Sequence, residues 1–159
     1  MNDTLQQLGE LGLGSRLNRL SDIMMKEIQA VYNAKGIDFD PYLFPVFRII
    51  IDNQHSTTTK IQEKLQYTQP AITQAIKKLM NKGLITYKVA KDDKRKKLFQ
   101  LTKKGIETHH KVIPLWEAID KQVKWLTEGS ASSLTRHLTH LENQLREKPL
   151  SQRILESLE

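Results

Sequence analysis

The stretch from Ser56 to Gly105 constrains this chain more than any other, because its punctuation leaves few folds open. Ser56, Thr57, Thr58 and Thr59 offer N-cap hydroxyls for a short helix carrying Ile61 and Leu65, with Gln62 three residues after Thr59 as in a capping box. Gln66-Tyr67 makes a turn, and Thr68 can cap a second helix running from Gln69 to Lys82. Pro70 sits in the first turn of that helix, where a missing N–H costs little, and Gly83 supplies a left-handed stop. Leu84 to Val89 and Lys97 to Leu101 are short, alternating and rich in β-branched or aromatic residues, so they read as two strands. The tip between them, Lys91-Asp92-Asp93-Lys94-Arg95-Lys96-Lys97, makes them a hairpin. The expected fold class is mainly α with a small β-hairpin wing: a winged helix-turn-helix core flanked by helices at both ends.

Charge is concentrated on the same stretch. From Lys60 to Lys104 there are 13 Lys or Arg against three acidic residues, a balance of +10, whereas the whole chain carries +7, so the remainder sums to −3. Such a concentration marks a polyanion binder. In the second helix Ile72, Ile76, Leu79 and Met80 share one face, while Pro70, Thr73, Gln74, Lys77 and Lys78 lie on or beside the opposite one. An α-helix fits the major groove of DNA, and its N-terminal half reaches base edges. Here that half offers Gln69, Pro70, Thr73 and Gln74: glutamine suits adenine, and threonine or proline can meet a thymine methyl. Lys77, Lys78 and Lys82 lie farther along, where phosphates are the expected targets. Lys91, Lys94, Arg95, Lys96 and Lys97 of the tip suit the DNA backbone or a narrow minor groove, whose negative potential favours arginine. Double-stranded DNA is the expected partner.

The flanks suggest pairing of two chains. Residues 1 to 14 hold three glycines and are expected to form a loose arm. From Ser15 onward Leu17, Leu20, Met24, Ile28 and Val31 make one apolar stripe, ended by Gly36. Asp40-Pro41 opens a segment that is apolar nearly all round, with Pro45 in its first turn. Thr102 starts a long helix through Ile106, Ile113, Trp116, Ile119, Val123 and Leu126, which Pro114 should bend. Glu128-Gly129-Ser130 breaks to a helix whose Leu134, Leu138, Leu141 and Leu145 form a pairing seam, stopped by Pro149 before one more short turn. A small winged core cannot cover all these stripes. Two-fold pairing would bury them and set two second helices about one DNA turn, or a small multiple, apart.

Other classes are weighed on the same residues. Without cysteine there is no disulfide, thiolate metal site or thiol redox chemistry. No apolar run nears the roughly 20 residues of a membrane span, and the N-terminus lacks the pattern of a signal peptide; a cytoplasmic protein is expected. His137 and His140, three apart, could share an ion with Glu142, but adjacent His109 and His110 point to different faces and no His-Glu-x-x-His motif occurs. No metal site and no cofactor are expected. With no nucleophile turn and no glycine-rich phosphate loop, an enzyme is not expected either. A protein-docking winged helix would not need thirteen cationic side chains on one unit.

The chain resembles the MarR family of bacterial transcription regulators. The resemblance runs from Leu17 to Leu145 and is sharpest at Gln69 to Leu79, Lys82-Gly83-Leu84-Ile85, Asp93-Lys94-Arg95 and Leu101-Thr102-Lys103-Lys104-Gly105. It implies a homodimeric regulator, commonly a repressor, on a pseudo-palindromic operator. Residues 1–159 would be one domain, with 15–35 and 103–148 as dimerisation helices and 40–102 as the DNA-binding region. By the same resemblance Arg95 enters the minor groove, Asp93 orients it, and Thr68 to Lys78 form the recognition region. A small-molecule effector is also implied, with Tyr32, Tyr42, Phe44, Phe47 and Trp116 as candidate lining residues. Gln69-Pro70 departs from the small polar residues more usual in the family, and Lys60 to Leu65 lacks the common Leu-Ala pair.

Overall fold

The computed structural model describes residues 3–91, 93–127 and 133–158. Its chain divides into two compact units, Met1–Ile113 and Pro114–Glu159, so the division falls at the proline inside the long helix.

The first unit opens with helical turns where a loose arm was expected. Asp3 caps α1 (Thr4–Gln7) by accepting from the Leu5 amide, and its carboxylate also receives Arg19 at 2.6 Å. A 3-10 turn over Gly9–Gly12 leads into α2 (Leu13–Ala34). Glycine signalled flexibility in the sequence, yet Gly12 serves close packing: a Cβ there would lie 2.6 Å from the Leu5 carbonyl. Asp40 then caps a short turn over Pro41–Leu43 by accepting from the Tyr42 amide, and α3 (Phe44–Asp52) follows with Pro45 in its first turn. Val46, Phe47 and Ile50 of α3 are buried, beside a T-shaped contact of Tyr32 on Phe39 at 5.5 Å and a tilted Phe39–Phe47 contact at 5.3 Å.

α4 (Thr58–Leu65) begins earlier than the expected capping box requires. Thr57 is its N-cap and accepts from the Lys60 amide at 3.2 Å, so Lys60 occupies the third position and the Thr59–Gln62 box does not form. Ser56 is not a cap. Its side chain is wholly buried and donates to the Asn53 carbonyl at 2.6 Å, while its own carbonyl accepts from the Phe99 amide at 2.9 Å. A one-residue bridge thereby adds to the hairpin, a non-local pairing no local pattern announces.

Gln66 takes the left-handed conformation at φ 54° and ends α4; Thr68 caps α5 (Gln69–Asn81). Gly83, at φ 69°, turns the chain into β1 (Ile85–Val89), which pairs antiparallel with β2 (Lys97–Leu101), Tyr87 facing Phe99. Thr102 then does three things. Its amide donates to the Leu84 carbonyl at 3.1 Å, its hydroxyl donates to the Gly83 carbonyl at 2.6 Å, and the same oxygen accepts from the Gly105 amide at 3.0 Å, capping α6 (Lys103–Leu126).

In the second unit α6 continues to Leu126, followed by α7 (Ser133–Glu147) and α8 (Leu150–Ser157). The Arg153 guanidinium donates to the carbonyls of Gln144 at 3.0 Å and Lys148 at 3.1 Å, tying α8 to the end of α7. The expected break at Glu128-Gly129-Ser130 lies outside the described residues. No helix among the described residues is long and apolar enough to cross a membrane.

Gly105 is the position least able to change. A Cβ built there would sit 2.0 Å from the Leu84 carbonyl oxygen, inside any van der Waals contact. Gly105→Ala is expected to cost about 1–3 kcal/mol, read by urea denaturation. A midpoint equal to wild type would mean that the α6 start does not pack against Leu84 this closely.

Candidate nucleic-acid interface

α5 packs against α3 and α4 through Ile72, Ile76 and Leu79, all buried. Each fully buried side chain of this kind is worth roughly 1.5–3 kcal/mol, so the helix cannot roll about its axis. The opposite face is then fixed in space: Gln69, Pro70, Thr73, Gln74, Lys77 and Lys78 are all exposed. Thr68 stands at the helix start, its hydroxyl accepting from the Ala71 amide at 3.4 Å. Free backbone amides of the first turn carry partial positive charge, which suits an anion such as phosphate.

The hairpin tip is a tight local structure. Asp93 accepts from the Arg95 amide at 2.9 Å and from Arg95 Nε at 3.4 Å, the two-residue reach by which aspartate mimics a backbone turn. The Lys96 amide donates to the Asp93 carbonyl at 3.0 Å, and the Ala90 amide closes the loop on the Lys96 carbonyl at 2.9 Å. Arg95 stays 94% exposed, so its charge faces water rather than protein. Lys91, Lys94 and Lys96 are exposed beside it, and Asp92 of the tip lies outside the described residues. Lys97 instead lies over the Tyr87 ring, 4.4 Å from its centre. All twelve candidate DNA-contacting residues therefore belong to one compact unit, eleven of them exposed and Asp93 half-buried.

Two acidic residues whose link to this surface no local pattern announces also meet it. Asp38 approaches Lys82 at 2.5 Å and Asp40 approaches Lys78 at 3.6 Å, while Lys104 donates to the Lys82 carbonyl at 2.7 Å. Hydrogen bonding to Lys82, then its charge and that of Lys104, hold the Asp38 carboxyl below the usual carboxylate range. Pairings across more than 35 residues leave no periodic trace in the sequence.

Four of the five candidate effector residues lie in the first unit. Tyr32 and Phe47 are enclosed in the core, Phe44 and Tyr42 are partly exposed, and Trp116 belongs to the second unit. Tyr42 lines a groove of about 460 Å³ with Pro41, Asp40 and one side of α2, and its hydroxyl donates to Asp22 at 3.4 Å. His137 Nδ1 sits 2.6 Å from the Ser133 carbonyl of its own helix, which requires the proton on that nitrogen. Among the described residues no three His, Asp or Glu side chains gather as a metal ion would need.

Residues 46–105 match the family model of a winged helix DNA-binding domain. No curated protein matches the sequence significantly. Similar solved structures include the transcriptional repressor CouR bound to a 23-mer DNA duplex, at 22% identity and TM-score 0.69, covering 85% of this chain and 96% of that one. The M. tuberculosis regulator MOSR in complex with DNA has 18% identity and TM-score 0.71, covering 86% and 97%. NMB1585, a MarR family regulator from Neisseria meningitidis, has 24% identity and TM-score 0.60, covering 96% and 99%. The chain has the winged-helix fold of the MarR-family regulators. The family resemblance read from Gln69–Leu79 and from Leu101 to Gly105 thus extends to the fold, and the mainly helical class with a two-stranded wing holds.

Two outcomes check this local geometry. Thr68→Ala should cost about 1 kcal/mol through the lost cap, measured by denaturation. Because the Asp38 pKa is depressed, its pair with Lys82 contributes fully at neutral pH. That contribution is lost as pH falls below about 4 and through the depressed value. In Lys82→Gln the Asp38 midpoint, followed by NMR, should rise toward the ordinary value; an unmoved midpoint would remove Lys82 as its partner.

Proposed function

We propose that this protein is a sequence-specific DNA-binding transcription regulator, a repressor, acting as a homodimer on a pseudo-palindromic operator. One observation carries the reading: a helix with a buried apolar face presents Gln69, Pro70, Thr73, Gln74 and two lysines to solvent, beside a wing whose Arg95 is almost fully exposed. The likeness to folds solved with DNA, CouR and MOSR among them, supports it. In this reading Gln69, Thr73 and Gln74 meet base edges, Pro70 meets a methyl, and Thr68 and Lys77 meet phosphates. Lys78 is a further phosphate contact. Arg95, oriented by Asp93, enters the minor groove, with Lys91, Lys94 and Lys96 on the flanking backbone.

Homodimer formation through residues 15–35 and 103–148 is supported by apolar side chains left exposed on those helices, among them Leu20, Ile23, Trp125, Leu134 and Leu145. The DNA-binding region is 40–102. A regulator of this kind works where the chromosome is, so the location is cytoplasmic. Tyr42 and the groove it lines are the place for an effector, which would weaken DNA binding by preferring the DNA-incompetent arrangement.

Selection of genomic DNA fragments by the purified protein at two salt concentrations tests the reading. An inverted repeat among the recovered fragments is expected; salt-sensitive capture without any shared sequence would overturn it. On the selected site Arg95→Ala should cost about 1–3 kcal/mol, and unchanged affinity would remove its groove contact. Lys77→Ala should weaken all sequences alike and flatten the salt slope by about one unit. A loss confined to one sequence would make Lys77 a base reader.

A further inference from the structure

Asp38 and Asp40 lie outside the matched region 46–105, in the segment between α2 and α3, yet each places a carboxylate on a lysine in or just after α5. The two pairs differ in kind. Lys82 is largely covered, closely held by Asp38, and its carbonyl receives Lys104, so it pins the end of the helix. Lys78 is half-exposed, one turn beyond Gln74 on the outward face, and its pair with Asp40 is long at 3.6 Å. Asp40 divides its carboxylate: Oδ1 accepts from the Tyr42 amide at 3.0 Å, and Oδ2 faces Lys78. A DNA phosphate oxygen offers Lys78 the same chemistry as that Oδ2 does. An exposed pair of this length is also weak enough to exchange.

We propose that Asp40 is an internal counter-ion that DNA must displace from Lys78, so that a residue touching no DNA sets how tightly the chain holds it. The inference rests on the DNA-binding reading and adds to it a residue that restrains affinity. Removing the carboxylate charge frees Lys78 for phosphate and adds up to one contact to the counterions released on binding.

The test uses the full chain and a mixed-sequence DNA duplex, titrated across salt for wild type, Asp40→Asn, Lys78→Gln and the double variant. Asparagine caps as well as aspartate does, so the Tyr42 amide keeps its partner. Asp40→Ser, which also caps, repeats the experiment with a different side chain. Asp40→Asn is expected to bind about two- to fivefold tighter, with a salt slope steeper by up to about 0.9, and to have no effect in the Lys78→Gln background. A gain that persists without Lys78 would mean that the carboxylate acts only through the long-range field, and overturns the proposal. Weaker or unchanged binding by Asp40→Asn and Asp40→Ser overturns it too, while wild-type binding leaves the DNA reading standing. If wild type binds neither this duplex nor any genomic fragment, the DNA reading falls and this proposal falls with it.

Discussion

Burial of Ile72, Ile76 and Leu79 against α3 and α4 is the constraint from which the rest of the candidate surface follows. A helix with one such seam has a single rotational setting, and that setting turns Gln69, Thr73, Gln74 and Lys77 outward. None of these polar residues is positioned by its own interactions. They are placed by the buried Ile72, Ile76 and Leu79 on the other face of the same helix, which is how a protein presents flexible polar side chains on a rigid frame. The caps at both ends, Thr68 and the left-handed Gly83, determine where the helix starts and stops.

A second node binds the wing to this frame. Leu84 offers its carbonyl to the Thr102 amide, Thr102 caps α6, and Gly105 lets that helix approach the Leu84 carbonyl closely. The Leu-Thr-x-x-Gly spacing is therefore a packing requirement: threonine supplies both a donor and an acceptor, and glycine supplies the missing Cβ. From this base β1 and β2 project a tip that needs little else, because Asp93 folds it locally and pairs loosely with an Arg95 that stays exposed.

Electrostatics add a level that neither the seam nor the node contains. The winged region is strongly basic in sequence, yet two of its helix lysines are partly neutralised by Asp38 and Asp40. Counting charges along the chain therefore overstates what is available to a polyanion on α5, whereas the wing tip keeps its lysines and arginine exposed.

The limits of α5, the two strands of the hairpin and the exposed face of α5 were legible in the sequence because each rests on local chemistry: 3.6-residue periodicity, a Thr cap, a Gly stop and alternation between Leu84 and Leu101. Local reasoning misled where the same residue types serve a tertiary purpose. The glycines before Ser15 signalled a loose arm, but an Asp3 cap, its bond to Arg19 and the tight Gly12 approach order the segment into helical turns. Ser56, Thr57, Thr58 and Thr59 were equivalent as caps along the chain, but Ser56 is buried with its hydroxyl on the Asn53 carbonyl and Thr57 caps α4. What the sequence determined by itself was the helices and hairpin of the winged region and the polar face of α5, since those depend on neighbours within a turn or two. Only the tertiary structure decided the partners of Lys78 and Lys82, the bridge at Ser56 and the clash that demands Gly105, because those depend on groups tens of residues apart along the chain that meet only once the core has closed.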